Sequence, residues 1–465
     1  MNCSNQTTSS KRSTIGAVAF LSIAFAILVW PIVFNSQGKL GEAIADSGYA
    51  TSELGDQRKH HEHVIAKMAE QWPDVDIVDY SSATSPGYHL IMSFVARFVS
   101  QDLVILQFAS SIFSLVLILV VWRYSARLTG PWPAALLTLP ILFSSYFLGA
   151  AIWLTTDNAG LLFVVLALGG SVFVGASANR IVKWGLFSAV AVYIRQIHIW
   201  VIAPVVLVAL LTSGANRFAP KVLQDAEQLK WRLPQVAFTA IVLMLPLAIL
   251  GVLVYLWGGL TPSHYAQRHN AGFNLATFPL ILSLFGAFGI FFLPILIGAG
   301  SKELLIGRSG WIAICLGIVI AVIIPTSHDF DAGRWGGSIW TLVEYMPDVA
   351  GRSIVFPPLA AIGCFVLLSA WRALRNCGRS RQAAILLLAL LGWAIAQSAN
   401  SQAWQRYCEP IILISLAWMA AMTFSTQSQT QTAIRNRNWW VGPALLSAIQ
   451  LGLSIATLYL PVFKS

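Results

Sequence analysis

The chain has 465 residues, 57% of them hydrophobic and only 10% charged. Soluble domains carry about 25% charged residues, so a soluble enzyme, a disordered protein and a nucleic-acid binder are all poor readings. The net charge of +10 calls first for a topological explanation. Five scattered cysteines with no CxxC argue against a zinc site and against disulfide stapling.

In chain order, Lys11 and Arg12 precede the first apolar run, 14–34. That run is too long for a signal-peptide core and lacks a small-residue cleavage site. It reads as the first membrane helix, with 1–13 as a cytoplasmic tail and 14–465 as one transmembrane domain. About 20 apolar residues span a bilayer. Further runs lie near 102–122, 132–151, 157–175, 183–194, 197–212, 235–257, 276–299, 309–326, 353–371, 382–398, 409–425 and 440–462. The expectation is an all-α polytopic protein of about thirteen spans, because these runs are continuous rather than alternating as in a barrel. The runs 183–194 and 197–212 are short and meet at Arg195-Gln196.

With the N-terminus in the cytoplasm, the inner segments hold 18 of the 29 basic residues and three acids, Asp225, Glu227 and Glu303. The outer segments hold the other 11 basic and 16 acidic residues. This is the positive-inside pattern, with anionic lipid headgroups as a further source of attraction. All eight histidines fall on or near the outer side, as do the larger loops 35–101, 258–275, 327–352 and 399–408.

The first outer loop, 35–101, carries nine acids between Glu42 and Asp79, most of which read as solvated surface. Asp56 stands apart, because Arg58, Lys59, His60, His61 and His63 follow it. A carboxylate near such cations stays ionised, which suits a general base. A short amphipathic helix is expected over 64–71. A second is expected over 88–99, started by Pro86 and lying on the outer membrane face. The HHxH spacing of His60, His61 and His63 lacks an established metal-ligand geometry.

Several stretches in chain order resemble one family. They are Gly55-Asp56-Gln57 with His60, and Ala83-Thr84-Ser85-Pro86-Gly87-Tyr88. Next come Trp153-Leu154-Thr155-Thr156-Asp157-Asn158 and Arg195-Gln196-Ile197-His198-Ile199-Trp200. Trp257-Gly258-Gly259 with His264, His269 and Phe278-Pro279 follows, then His328 through Trp335, and Arg406-Tyr407 with Pro410. Over residues 50–415 they resemble the membrane α-1,2-glucosyltransferases that add the terminal glucose to dolichol-linked oligosaccharide, within the GT-C superfamily. The departures are Gln57 for a second acid, Ser85 for a proline and His198 for an asparagine.

The resemblance implies a GT-C bundle whose long first outer loop bears two interfacial helices. It implies transfer of a hexose, most simply glucose, from a polyprenyl phosphate to a lipid-linked or envelope glycan on the lumenal or periplasmic face. The β-linked donor and α-linked product imply inversion, so one carboxylate suffices and the two-carboxylate logic of retaining hydrolases does not apply. Asp56 is then the base. Arg195 interrupts an apolar run of about thirty residues, where a charge costs on the order of 3 kcal/mol and marks function. It is the first candidate for the donor phosphate, followed by Arg334, Arg406, His264 and His328; the bland account of Arg195 is a pair with Asp157. The forked guanidinium suits phosphate oxygens. His60, Pro86, Asp157, Gln196, His198, Asp331 and Tyr407 complete the implied pocket. The run 155–158 also suits a helix cap, so Asp157 is either cap or site residue. Trp335, Trp340 and Trp404 read as belt anchors or as stacking platforms for sugar. No cofactor and no metal is expected, because the lipid-phosphate sugar is a substrate. Partners are membrane lipids, the lipid-linked donor and the glycan acceptor, with no nucleic acid. The rival reading is a transporter or flippase for a lipid-linked or anionic substrate, in which internal repeats and polar midplane residues are expected.

Overall fold

The structure, a computed structural model, describes residues 3–35, 52–213, 231–263, 265, 272–299, 307–326, 335–427 and 438–460, with the single positions 220, 223 and 229. Every apolar run of the sequence falls on helix there. Among the described residues, six helices are long and apolar enough to cross a membrane: Lys11–Asn35, Leu103–Thr129, Leu233–Trp257, Phe356–Asn376, Ser380–Ser398 and Val441–Tyr459. Pro131–Leu142 and Ser145–Ile152 form a seventh candidate, bent by 77°. Four more apolar helices are shorter, among them Asp157–Phe173 and Gln196–Thr212. On Leu233–Trp257, Leu233, Phe238, Ile241, Met244, Val252 and Tyr255 are all exposed. Water does not tolerate an apolar face of that extent; lipid does. The chain is a multi-pass membrane protein.

The Gln405–Gln427 helix is the centre of the bundle. From Ile411 to Met422 every side chain is buried. Around it pack Leu103–Thr129, Pro131–Leu142, Thr277–Gly289 and Phe356–Asn376. Glu409 anchors its first turn, accepting from Ser144 Oγ (2.7 Å), Gln405 Nε2 (2.7 Å) and Gln450 Nε2 (3.0 Å). A buried carboxylate survives where its oxygens are bonded in this way. Trp335–Gly336 pairs in parallel with Ala403–Trp404 just ahead of this helix. Trp340 is fully buried beneath that pairing and donates to the Ala403 carbonyl (2.7 Å). It is therefore a core residue, not a belt anchor, because its indole N–H finds its partner inside the fold.

The outer segment is more helical than its sequence suggests. Ser52–Asp56, a π-helical turn Gln57–His61 and Glu62–Gln71 follow without interruption. The basic and imidazole-rich run is the π turn itself, not a lead-in to the helix. The second helix is Gly87–Phe98, with Pro86 as its cap residue. Gln57 explains why the turn sits where it does. Its amide donates to Glu62 (2.6 Å) and its carbonyl accepts from Gln107 (3.0 Å) and from the Leu154 backbone N–H (2.7 Å). Glu53 and Glu62 are both buried, which corrects the reading of these two acids as solvated surface.

Phe356–Asn376 and Thr277–Gly289 approach at backbone distance through paired glycines, as small residues permit in membrane bundles. A Cβ on Gly363 would lie 1.9 Å from the Leu282 carbonyl oxygen, and one on Gly286 would lie 2.0 Å from that of Leu359. Gly363→Ala should lower stability by about 1–3 kcal/mol through overpacking. Gly392→Ala, where a Cβ would meet nothing within 4 Å, should be neutral or stabilise by up to about 1 kcal/mol through helix propensity. Thermal unfolding of the two variants in one detergent checks the contrast.

Candidate active site

Three chain breaks converge at one end of the central helix. The first is the N-terminal end of the π turn, carrying Asp56. The second is the start of Asp157–Phe173, which puts Asp157 in a first helical turn; the helix cap is Thr156, without a side-chain cap bond. The third lies between Ala178–Ile194 and the 3-10 segment Gln196–Val201, where Arg195 is in extended backbone. Arg406 and Tyr407 open the central helix and face all three.

Two ion pairs result. Arg406 Nη2 contacts an Asp56 carboxylate oxygen, and Arg195 Nη1 contacts one of Asp157. Both pairs are largely buried. Tyr407 lies between them. The Arg195 guanidinium sits 4.8 Å from its ring centroid and that of Arg406 4.7 Å. Arg406 Nη2 also donates to the Tyr407 hydroxyl (2.7 Å). Trp404 stacks on Tyr407 at 5.8 Å and 7°, and takes the Arg406 guanidinium over its own face at 4.6 Å. Cations desolvated against aromatic faces in this way gain up to about 2 kcal/mol, and their positions are fixed.

These residues line a cavity of about 450 Å³ together with His60, His61, Ser82, Thr84, Gln196, Leu260 and Tyr265. A second cavity of about 440 Å³ is lined by Glu53, Tyr146, Trp335, Gly337 and Ser338. Trp404 and Arg406 line both cavities. A narrow space of about 40 Å³, lined by Glu53, Asp157, Asn158, Arg195, His198, Arg406 and Tyr407, adjoins them.

Of the sequence candidates, the structure brings Asp56, His60, Asp157, Arg195, Gln196, Arg406 and Tyr407 onto the large cavity and His198 onto the narrow one. Gln196 positions its wall: its amide donates to the Ala83 carbonyl (2.6 Å) and its oxygen accepts from Ser85 (3.1 Å). Pro86 begins a helix and is not a lining residue. His264, His328, Asp331 and Arg334 lie outside the described residues. The cation held by Asp56 is Arg406, 350 positions away, rather than the basic run beside it. His60 packs edge-on to Tyr265, whereas His61 turns to His89, so the two histidines on this wall have different partners. Sequence reasoning missed Glu53; Trp404, read there as a belt anchor or a stacking platform, lines both cavities. Glu53 stands three positions before Asp56, on the same face of a helical turn, and that spacing was the available signal. Burial raises the Glu53 carboxyl above its ordinary range, against the opposing pull of Arg406.

No protein-family model and no curated protein matches the chain. Among solved structures it is similar to ArnT from Cupriavidus metallidurans in the apo state, at 14% identity and a TM-score of 0.36, covering 88% of this chain and 78% of that one. It is also similar to the oligosaccharyltransferase AglB from Archaeoglobus fulgidus, in complex with an inhibitory peptide and a dolichol-phosphate. There the identity is 13%, the TM-score 0.47 and the coverage 97% of this chain and 55% of that one. The chain thus spans about half the length of that oligosaccharyltransferase.

Breaking a buried ion pair costs about 3–5 kcal/mol, whereas replacing both partners is near neutral. Arg195→Gln alone should therefore destabilise strongly, and Asp157→Asn with Arg195→Gln should recover most of the loss. Denaturation of the single and double variants measures it. Glu53 gives a pH test. A raised folded-state value favours the protonated form, so its stabilising effect is complete at low pH and is lost as pH rises through the raised value. Glu53→Gln should match wild type near about pH 4 and exceed it in stability near about pH 8, as read by melting curves across pH.

Proposed function

We propose that the chain is a membrane glycosyltransferase of the GT-C type, with about thirteen crossings and its site at the outer, lumenal or periplasmic face. It moves a hexose, in the first instance glucose, from a polyprenyl phosphate to a glycan acceptor, with inversion. One observation carries the reading. Two Asp–Arg pairs share one aromatic spacer on the wall of a 450 Å³ cavity, and a second cavity of like volume meets it at Arg406 and Trp404. Two substrates that must meet at one bond need such a pair of chambers. A transporter needs neither a base nor a wall shared between two pockets.

Asp56 keeps a second carboxylate oxygen beyond the one held by Arg406, and serves as base. The acceptor hydroxyl gives its proton to that oxygen and attacks the anomeric carbon, and the bond from that carbon to the phosphate oxygen breaks. The electron pair stays on the lipid phosphate, where Arg195 and Arg406 stabilise it. Arginine suits this task because its fork remains charged and matches phosphate geometry. Fixed donors aimed at developing charge contribute most of the rate in catalysis of this kind. By sequence His264, His328 and Arg334 belong to outer segments and are proposed to complete the phosphate site, with Asp331 proposed as a pocket residue. Gln196, His198 and Tyr407 shape the pocket. No metal is needed in this scheme. The resemblance noted in the sequence supports glucose and the terminal α-1,2 linkage.

Purified wild type should consume synthetic polyprenyl-phosphate glucose in the presence of a glycan acceptor. Asp56→Asn should be slower by at least about 100-fold, in line with loss of general-base catalysis, while still binding the donor. An Asp56→Asn variant as fast as wild type removes the base assignment. A wild type that consumes no lipid-phosphate hexose, yet moves a solute across proteoliposomes, overturns the transferase reading.

A further inference from the structure

Glu53 is a buried carboxyl outside the proposed chemistry. It is 5% exposed, and among the described residues no other residue hydrogen-bonds its carboxyl. Gly149 makes the room for it: a Cβ there would lie 3.0 Å from Glu53 Cδ. The other buried carboxyls of this region are bonded, Glu62 by Gln57 and Glu409 by three donors, as buried polar groups normally are. Burial raises the Glu53 carboxyl, the direction expected where no neighbouring donor favours the ionised form. Glu53 lines the second cavity, of about 440 Å³.

The two cavities differ in chemistry. The first carries two arginines, two aspartates and the aliphatic side chains of Ile197, Ile199, Leu250 and Leu260, a lining for an anionic head on an apolar tail. The second has Arg406 as its one cation and Leu458 as its one aliphatic side chain, among the described residues. The rest of its lining is Glu53, aromatic rings, hydroxyls and glycine backbone. Trp335 rests on the buried Trp340, with 4.2 Å between ring centroids. The segment that carries it is pinned: Tyr146 Oη accepts from the Ser338 N–H (3.0 Å) and Gln405 Oε1 from the Ile339 N–H (2.9 Å). Aromatic surface with a few fixed polar groups is the usual lining of a small-molecule site. An ionised Glu53 repels a phosphate from this cavity, and Arg406 repels an ammonium. An uncharged polyol meets neither penalty.

We propose that the second cavity is a binding site for one uncharged sugar ring, seated against Trp335 and bonded through a ring hydroxyl to the Glu53 carboxyl. A hydroxyl donates one hydrogen bond and accepts others, so it supplies the donor that this carboxyl lacks. A ligand without that hydroxyl leaves the carboxyl buried and unbonded, and a site built in this way rejects it. Glu53 is thus a specificity-determining residue. Identifying this sugar with the terminal residue of the acceptor rests on the transferase reading; the sugar site itself does not. Arg406 and Trp404, common to both cavities, then stand where acceptor and donor meet.

Saturation-transfer NMR on the intact protein, in a detergent that carries no sugar, reads the binding. The probes are the methyl glycosides of glucose, galactose and mannose and their monodeoxy analogues. At least one parent glycoside should bind, and saturating polyprenyl phosphate should not displace it, because the two occupy different cavities. Removing one hydroxyl of that glycoside should weaken it on wild type by about tenfold or more, the effect of a hydrogen bond to a charged group. On Glu53→Leu the same deoxy analogue should differ from its parent by less than about twofold, since the partner of that hydroxyl is gone. Polyprenyl phosphate should bind this variant as it binds wild type. Where Glu53→Leu does not fold, Glu53→Gln decides: a neutral bond should shrink the deoxy penalty to about threefold. The sugar site is overturned if none of the three glycosides binds, if polyprenyl phosphate displaces the one that does, or if no deoxy analogue is weakened. A deoxy penalty undiminished in the Glu53 variants overturns the contact equally. If wild type binds the glycoside as described but consumes no lipid-phosphate hexose, the transferase reading fails while the sugar site stands. If it transfers hexose but binds none of the glycosides, the sugar site fails and the transferase reading stands.

Discussion

The pairing of Asp56 with Arg406 is the contact on which the outer half of the molecule depends. It joins the first outer segment to the start of the central helix, 350 positions later in the chain. Everything near it follows from that junction. Arg406 cannot reach Asp56 unless the central helix begins at this depth, and Glu409, one turn on, fixes that depth through Ser144, Gln405 and Gln450. Asp56 cannot reach Arg406 unless its turn is held, and Gln57 holds it against Gln107 and Leu154. The ion pair is thus clamped from both sides by buried hydrogen bonds. Such bonds are costly to leave half made, so the clamp resists partial opening. That is the property the proposed transfer between two chambers requires of their common wall.

The fold was legible because lipid imposes one rule on every spanning segment: internally satisfied backbone and an apolar surface. All thirteen apolar runs fall on helix. The number of crossings was less legible, because a run such as 132–151 folds as two helices bent by 77°, and hydrophobicity alone does not register a bend. Asp157 shows why single residues are harder. Its neighbours Thr155, Thr156 and Asn158 make a cap and a site indistinguishable in sequence. The structure gives the cap position to Thr156 and pairs Asp157 with Arg195, brought in from the next break, which is also the bland account of that arginine.

The site divides along the same line. Arg195 was visible because a charge inside an apolar run is expensive. Arg406 was visible by motif, but its partner was not, since no sequence period links positions 56 and 406. Glu53 and Glu62 were misjudged because an acid-rich stretch looks solvated; burial depends on the neighbours it meets, Gly149 for Glu53 and Gln57 for Glu62. The contact of His61 with His89 was invisible for the same reason. Two histidines 28 positions apart carry no shared pattern, and the loop between them had to fold back before they could touch.

The π turn at Gln57–His61 has a consequence for how this segment could have arisen and how it can change. A π turn is an α-helix carrying one extra residue. Removing one residue from it would restore a plain helix and rotate everything ahead by about 100° relative to everything behind. Glu53 and Asp56 would then swing off their cavities, while Glu62–Gln71 stayed packed on Gly87–Phe98. The carboxylate proposed as the base is therefore aimed by a count of residues as much as by any bond. A single-residue deletion between the two would disarm the site without unseating the helix that carries it.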